Sequence, residues 1–252
     1  MIVDTHCHLD KEYYENLDEI ISEMNNNIIV ASSVDLETTR HVVKLCDKYE
    51  NIYGTIGFHP SELENYNEAN LKELESYLRN PKIVGIGEIG LDYHYGNDNK
   101  DQQIKAFKEQ ILLAKKYNKT IVIHSRDAAL DTYNILKEME IKNNKVILHC
   151  YSYSLEMAKE FKKLNIKFGI GGVLTFKNSQ KLKEVVEYLD LEDILLETDS
   201  PYLTPEPFRG KINRPINVNI VASKIAQLKN ISEEEVKKVT TSNAISQFDL
   251  KI

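Results

Sequence analysis

Seven histidines are spread over the 252 residues of the chain, and five of them close short β-branched runs: His6 and His8 in IVDTHCH, His59 in IYGTIGFH, His124 in TIVIH and His149 in KVILH. Two acids hold comparable places, Glu88 at the end of KIVGIGE and Asp199 just after DILLET. His41 and His94 fall elsewhere. On an extended strand successive side chains point to opposite faces, so Asp4, His6 and His8 should share one side and Thr5 and Cys7 the other. Imidazole and carboxylate are donors for divalent cations, and leaving many such groups unpaired in one pocket would be costly. If His6, His8, His124, His149, Glu88 and Asp199 meet, they exceed what one tetrahedral zinc needs, which favours two ions sharing a bridging carboxylate. Glu88, between the two histidine groups in the sequence, is the candidate bridge. The alternative reading of the same residues is a set of hydrogen-bonded structural histidines.

Something must bring residues so far apart in the chain to one place. The opening IVDTHCH and the runs at 28 to 33, 52 to 59, 82 to 88, 120 to 124, 145 to 149, 166 to 172 and 193 to 198 make eight candidate strands. Between them lie stretches of helical period, such as IKAFKEQILLAKKY with Ile104, Phe107, Ile111 and Leu112. Strands this uniformly apolar, alternating with helices, predict parallel pairing covered by helices, and eight of them suit a (β/α)8 TIM barrel. In that fold the C-terminal strand ends ring one mouth, where catalytic groups gather. An open doubly wound sheet is the alternative, but it would carry a glycine-rich phosphate loop, and neither GxGxxG nor GxxxxGK[ST] occurs. With no internal repeat or linker, residues 1 to 252 read as one domain. After the eighth strand the Pro-rich SPYLTPEPFRGKINRP should form a long loop, followed by a helix over 217 to 229 and another from Ser232 to about Ala244.

Composition narrows the function. A net charge of −7 and a pI near 5.6 argue against a protein that coats duplex nucleic acid; any such partner must be gripped locally. Three scattered cysteines, Cys7, Cys46 and Cys150, make neither a disulfide framework nor a zinc pair. No apolar run reaches the length of a membrane span, and no leader-like block precedes the first strand, so a cytoplasmic protein is expected. Nothing points to a protein partner, and a monomer is expected.

Taken in order, DTHCHLD, GFHP, GEIGLDYH, HSRDA, HCYS and ETDSPYLTP resemble the motifs of the TatD family of metal-dependent deoxyribonucleases, within the amidohydrolase superfamily. The resemblance spans most of the chain. It implies a TIM barrel with one ion held by His6, His8, Glu88 and Asp199 and a second by Glu88, His124 and His149. It also implies Mg-dependent removal of nucleotides from DNA ends, 3′ to 5′. The chain departs from the pattern after PFRGK, where it has INRP, Ile212 to Pro215, in place of RN and an acidic residue.

The expected chemistry is attack by a water that two divalent ions have made acidic, with Asp199 as general base and Glu88 bridging. Magnesium or manganese should support activity, while zinc, nickel or iron can copurify. Asp4, Asp10 and Asp92 are expected to support the ligands. His59, Arg126 and Arg209 are the candidate contacts to phosphate. Tyr93, Tyr151, Tyr153 and Tyr202 are candidates to stack a terminal base, and Lys177, Lys181, Lys183, Lys211 and Arg214 to form a local cationic rim. The competing readings are hydrolysis of a small ester, lactone or phosphotriester, removal of a mis-charged D-amino acid from tRNA, and a barrel whose metal is structural. A glutamate at 88, where related phosphotriesterase-like enzymes often bridge with a modified lysine, leans towards the nuclease.

Overall fold

The computed structural model describes residues 1–96 and 98–251. Its strands are β1 (Val3–Cys7), β2 (Ile28–Ser32), β3 (Ile52–Ile56), β4 (Ile83–Asp92), β5 (Thr120–Arg126), β6 (Val146–Leu148), β7 (Lys167–Ile170) and β8 (Ile194–Leu196). They form one sheet in chain order, each parallel to its sequence neighbour. Helices α1 (Leu17–Ser22), α2 (Leu36–Lys48), α3 (Glu68–Tyr77), α4 (Lys100–Tyr117), α5 (Ala129–Glu138), α6 (Leu155–Lys163) and α7 (Gln180–Tyr188) fall between consecutive strands, and α8 (Val218–Lys229) and α9 (Glu233–Phe248) follow the last. This is the expected (β/α)8 barrel.

Hydrogen bonds between β1 and the β8 exit draw the ends of the sheet together. Thr5 Oγ1 donates to Leu196 O at 2.9 Å, Asp199 N to His6 O at 3.0 Å and His8 N to Ser200 O at 2.7 Å. The carboxylate of Asp4 takes the Thr198 N–H at 2.9 Å and its hydroxyl at 2.6 Å. Strands far apart in sequence thereby become neighbours around one mouth.

The core has two layers. Outward strand residues such as Ile29, Ile56, Ile86, Ile121 and Leu196 pack with helix residues including Leu45, Phe107, Ile111, Phe161 and Val221. Inside, Val3, Ile28, Val30, Tyr53, Val84, Val122, Ile147 and Leu195 surround Phe248 and Leu250 and make an apolar floor. Seven strands supply that floor. The eighth, β7, has no residue in it.

Three local differences from the sequence reading have physical causes. β4 does not stop at Glu88 but runs to Asp92, because GIGEIGLD keeps pairing with β5 after a register shift between Ile86 and Ile89. In β1 the register shifts between Asp4 and Cys7, so the simple alternation from Val3 is broken and His6 and His8 reach the mouth although Val3 faces the floor. α9 continues past Ala244 to Phe248, whose ring is 2% exposed and fills the floor. The Ser232 cap is as expected, its side chain accepting from Glu235 N at 3.1 Å. Among the described residues no helix is long and apolar enough to cross a membrane.

Candidate metal centre

Six side chains converge above the floor, and Glu88 stands between them. The register shift in β4 aims its carboxylate across the mouth. Oε2 lies 3.4 Å from His6 Nε2 and 3.5 Å from His8 Nε2, and Oε1 lies 2.8 Å from His124 Nδ1 and 2.6 Å from His149 Nε2. Asp199 Oδ1 completes the first group, 3.7 Å from His6 Nε2 and 3.5 Å from His8 Nε2. The two imidazoles of that group are themselves 3.3 Å apart. A cation with donors at about 2.0–2.2 Å in tetrahedral array needs donor separations of about 3.3–3.6 Å. In the first group His6, His8 and Glu88 meet this spacing, and Asp199 stands just beyond it from His6. The second, His124, His149 and Glu88 Oε1, is tighter at two edges and 3.4 Å across its imidazoles. His6, His8 and Glu88, and likewise Glu88, His124 and His149, are of the composition and proximity that can hold a metal ion, and Asp199 is close enough to share one with His6 and His149.

Ring nitrogens facing away from the cleft fix which atoms point into it. His6 Nδ1 pairs with Ser32 Oγ at 3.1 Å, His8 Nδ1 with the Ser32 carbonyl at 3.1 Å, and His124 Nε2 with Asp92 Oδ2 at 3.0 Å. Asp92 is itself held by Gln103, which donates to its carbonyl and accepts from its N–H. The expected support from Asp92 is therefore present in the geometry, whereas Asp4 faces Thr198 and Asp10 sits at the cavity edge.

Charges in the cluster are strongly coupled. Burial alone would raise the Glu88 carboxyl, yet the imidazoles of His149, His59 and His124 hold it well below the usual carboxylate range. Burial opposes charge on His8 and His124, but the carboxylates facing them push both up to about 9. His6, enclosed and stacked 4.0 Å from His149, falls to about 4. Burial would raise Asp199, but the imidazoles of His8, His149 and His6 together hold it below its ordinary value. Burial raises the Cys150 thiol well above its ordinary value, leaving it no thiolate with which to attack.

A cavity of about 1110 Å³ opens over the cluster. His59 faces it with Nε2 3.6 Å from Glu88 Oε1. Because His59 Nδ1 accepts the Ser61 N–H at 3.1 Å, the neutral ring carries its proton on Nε2 and presents a donor. Burial keeps it neutral, lowering it to about 3. Arg126 lines the cavity with its guanidinium 5.5 Å from the Tyr95 ring. Arg209 does not line it; its guanidinium packs 4.1 Å over Phe176.

The aromatic and basic candidates divide. Tyr202 lines the cavity, its hydroxyl 2.8 Å from that of Tyr13. Tyr93, Tyr151 and Tyr153 do not line it, and their hydroxyls bond Asp131, Ser154 and Ser125. None of Lys177, Lys181, Lys183, Lys211 and Arg214 lines it either, and Arg214 is paired with Glu23 at 2.5 Å. Lys11 and Arg126 are its basic residues, against Asp10, Glu12, Asp35, Glu37 and Glu62 on the β1 to β3 side. In the INRP loop Asn213 is fully buried and donates to Thr198 O and Tyr202 O, tying the loop to the β8 exit.

Sequence reasoning passed over Ser32, Tyr13, Tyr95 and Glu197. The last carried a signal, since Leu195, Glu197 and Asp199 alternate inward along ILLETD. Its side chain is fully buried, and burial raises it to about 8 despite the nearby imidazole of His149.

A family model described as TatD related DNase matches residues 3–249. The chain is 42% identical over 253 residues to the uncharacterized metal-dependent hydrolase YabD of Bacillus subtilis, covering 98% of this chain and 99% of that protein. It is 33% identical to the uncharacterized metal-dependent hydrolase YcfH of Escherichia coli K12, covering 99% of this chain and 96% of the relative. The crystal structure of YjjV, a TatD homologue from Escherichia coli K12, superposes with a TM-score of 0.91 at 28% identity, covering 99% of this chain and 98% of that one.

Proposed function

The chain belongs to the TatD family of metal-dependent hydrolases, and from that premise we propose that it hydrolyses phosphodiester bonds at DNA ends, removing nucleotides 3′ to 5′. The observation that carries the reading is the division of Glu88, with Oε2 facing His6 and His8 and Oε1 facing His124 and His149. That arrangement suits two divalent ions sharing one carboxylate: His6, His8, Glu88 and Asp199 would hold one, and Glu88, His124 and His149 the other. Magnesium or manganese would serve in turnover, with zinc, nickel or iron admitted by the same donors. When bound, such ions lower the pKa of water and take up charge on phosphate oxygens.

The protein's own groups supply the rest. Asp199, ionised at neutral pH, accepts the proton of the attacking water. As the new P–O bond forms, the bond to the leaving sugar oxygen breaks and that oxygen takes a proton from solvent water, while Asp199 returns its own to solvent. His59 Nε2–H donates to a phosphate oxygen without bringing charge, and Arg126 offers its planar fork from the rim. Tyr202, Tyr13 and Tyr95 present rings on which a terminal base can stack. With two basic residues in its lining, the cavity suits a few phosphates at a strand end. The protein acts as a monomer in this reading.

The acidic β1 to β3 side of the cavity favours a second reading, hydrolysis of a small or weakly charged ester. One experiment separates the two. Chelated protein is reloaded with magnesium, manganese or zinc and offered end-labelled DNA beside lactones, phosphotriesters and a D-aminoacyl-tRNA. Shortening of labelled DNA from its 3′ end supports the nuclease; turnover of the other esters with intact DNA overturns it.

A further inference from the structure

Three of the four histidines at the centre have their outward nitrogen engaged by Ser32 or Asp92. His149 does not: its Nδ1 is buried and without a hydrogen-bond partner. The facing acceptor is Glu197 Oε1, 3.9 Å away. Glu197 lies outside both donor groups and does not line the cavity. Yet the fold makes room for it. Gly169 is a residue of β7, the strand that gives the floor no side chain, and a Cβ there would stand 2.2 Å from Glu197 Oε2. The Cys150 N–H anchors Oε1 at 2.5 Å, immediately after His149, and Oε2 is buried without a partner. A carboxyl group enclosed with one oxygen unpartnered, beside an unpaired imidazole nitrogen, needs a reason.

We infer that Glu197 is a positioning residue for His149, holding the ring with Nδ1–H turned towards Glu197 Oε1 so that the Nε2 lone pair faces Glu88 Oε1 and the second donor group. It would complete a pattern in which each of the four imidazoles is backed from behind. A cation drawn onto Nε2 makes Nδ1–H a stronger donor and shortens the contact to Glu197. The inference rests on the metal reading above, and its test separates the two.

Full-length protein labelled with nitrogen-15 histidine and stripped by chelator is titrated with zinc in the presence of a chromophoric competitor, as wild type and as Glu197→Gln. Wild type is expected to bind two ions, and its long-range proton–nitrogen spectrum to show His149 as the Nδ1–H tautomer. Glu197→Gln should weaken one ion by about 10- to 100-fold, leave the other within about threefold, and alter the His149 nitrogen shifts. Glu197→Asp, which keeps the carboxyl group on a shorter stem, should recover part of the loss. Wild type that binds no zinc overturns the metal reading itself. Wild type that binds two ions while Glu197→Gln matches it in both affinities and in the His149 spectrum overturns the role of Glu197. If the variant fails to fold, an Nε2–H tautomer in the wild-type spectrum is enough to overturn it.

Discussion

Asp4 and Thr198, 194 positions apart, are joined twice: the carboxylate accepts the Thr198 hydroxyl at 2.6 Å and its backbone N–H at 2.9 Å. The pair links β1 to the β8 exit immediately below His6 and Asp199. Thr198→Val removes the hydroxyl and leaves a buried carboxylate oxygen short of a donor, which should cost about 1–3 kcal/mol. Urea unfolding followed by circular dichroism measures this; an unchanged midpoint would show that the pair does not hold the barrel ends.

Because the two oxygens of Glu88 face different donor groups, one substitution should disturb both. Glu88→Gln is expected to lower bound metal below that of wild type and to reduce hydrolysis by at least about 100-fold, since it removes the charge between the groups. His94→Ala, which lies outside the cluster and pairs with Asp127 at the surface, should leave both unchanged. Elemental analysis of gel-filtered protein, with a rate assay alongside, decides the matter.

Cations that bind the folded chain and not the unfolded one must stabilise it by mass action. At 100 times the dissociation constant the gain is about 2.7 kcal/mol, so the melting temperature should climb with added zinc or manganese and fall back with chelator. A melting temperature indifferent to both would deny that the histidine cluster takes up metal.

Two arginines with the same sequence expectation now separate. Arg126→Ala should raise KM for DNA by about tenfold with a small effect on kcat, because it lines the cavity where the proposed substrate would bind. Arg209→Ala, whose guanidinium rests on Phe176, should change KM by less than about twofold. The same assays run across a salt series should give a shallow slope, corresponding to a few phosphate contacts.

Cys46 gives a pH test remote from the cluster. Burial pushes its thiol from an ordinary value of 9.0 up to about 12. Below pH 9 the thiol is neutral in folded and unfolded chains alike, so its stabilising contribution is whole there. Between about 9 and 12 only the unfolded chain ionises, and stability should decline. In folded protein at pH 8, iodoacetamide should leave Cys46 unmodified for hours while labelling it readily in urea.

The barrel and the six converging donors were legible because each donor ends or follows a β-branched run, and parallel closure brings such positions to one rim. Glu88 was legible as the candidate bridge, but its strand was not read to its full length: GIGEIGLDYH reads as a strand running into a loop, while the register shift at Glu88 belongs to the pairing of β4 with β5. Ser32 had no signal, since its value lies in meeting His6 and His8 from a neighbouring strand. Glu197 was hidden beside Asp199 as one of two nearby acids; Gly169, across the β7 to β8 ladder, is what reveals its enclosure. Among the tyrosines and arginines, composition could not tell packing from exposure. Tyr151 is 3% exposed, whereas Tyr202 is 48% exposed.

Phe248 and Leu250 seal the base of a barrel whose eight strands all precede them in the chain. During translation every histidine and carboxylate of the cluster therefore emerges before the plug that firms up their platform. A nascent chain still threaded through the ribosome with that plug inside the exit tunnel has a soft-bottomed barrel. A hydrolase built this way gains its working rigidity only once α9 has been added beneath strands that are already made.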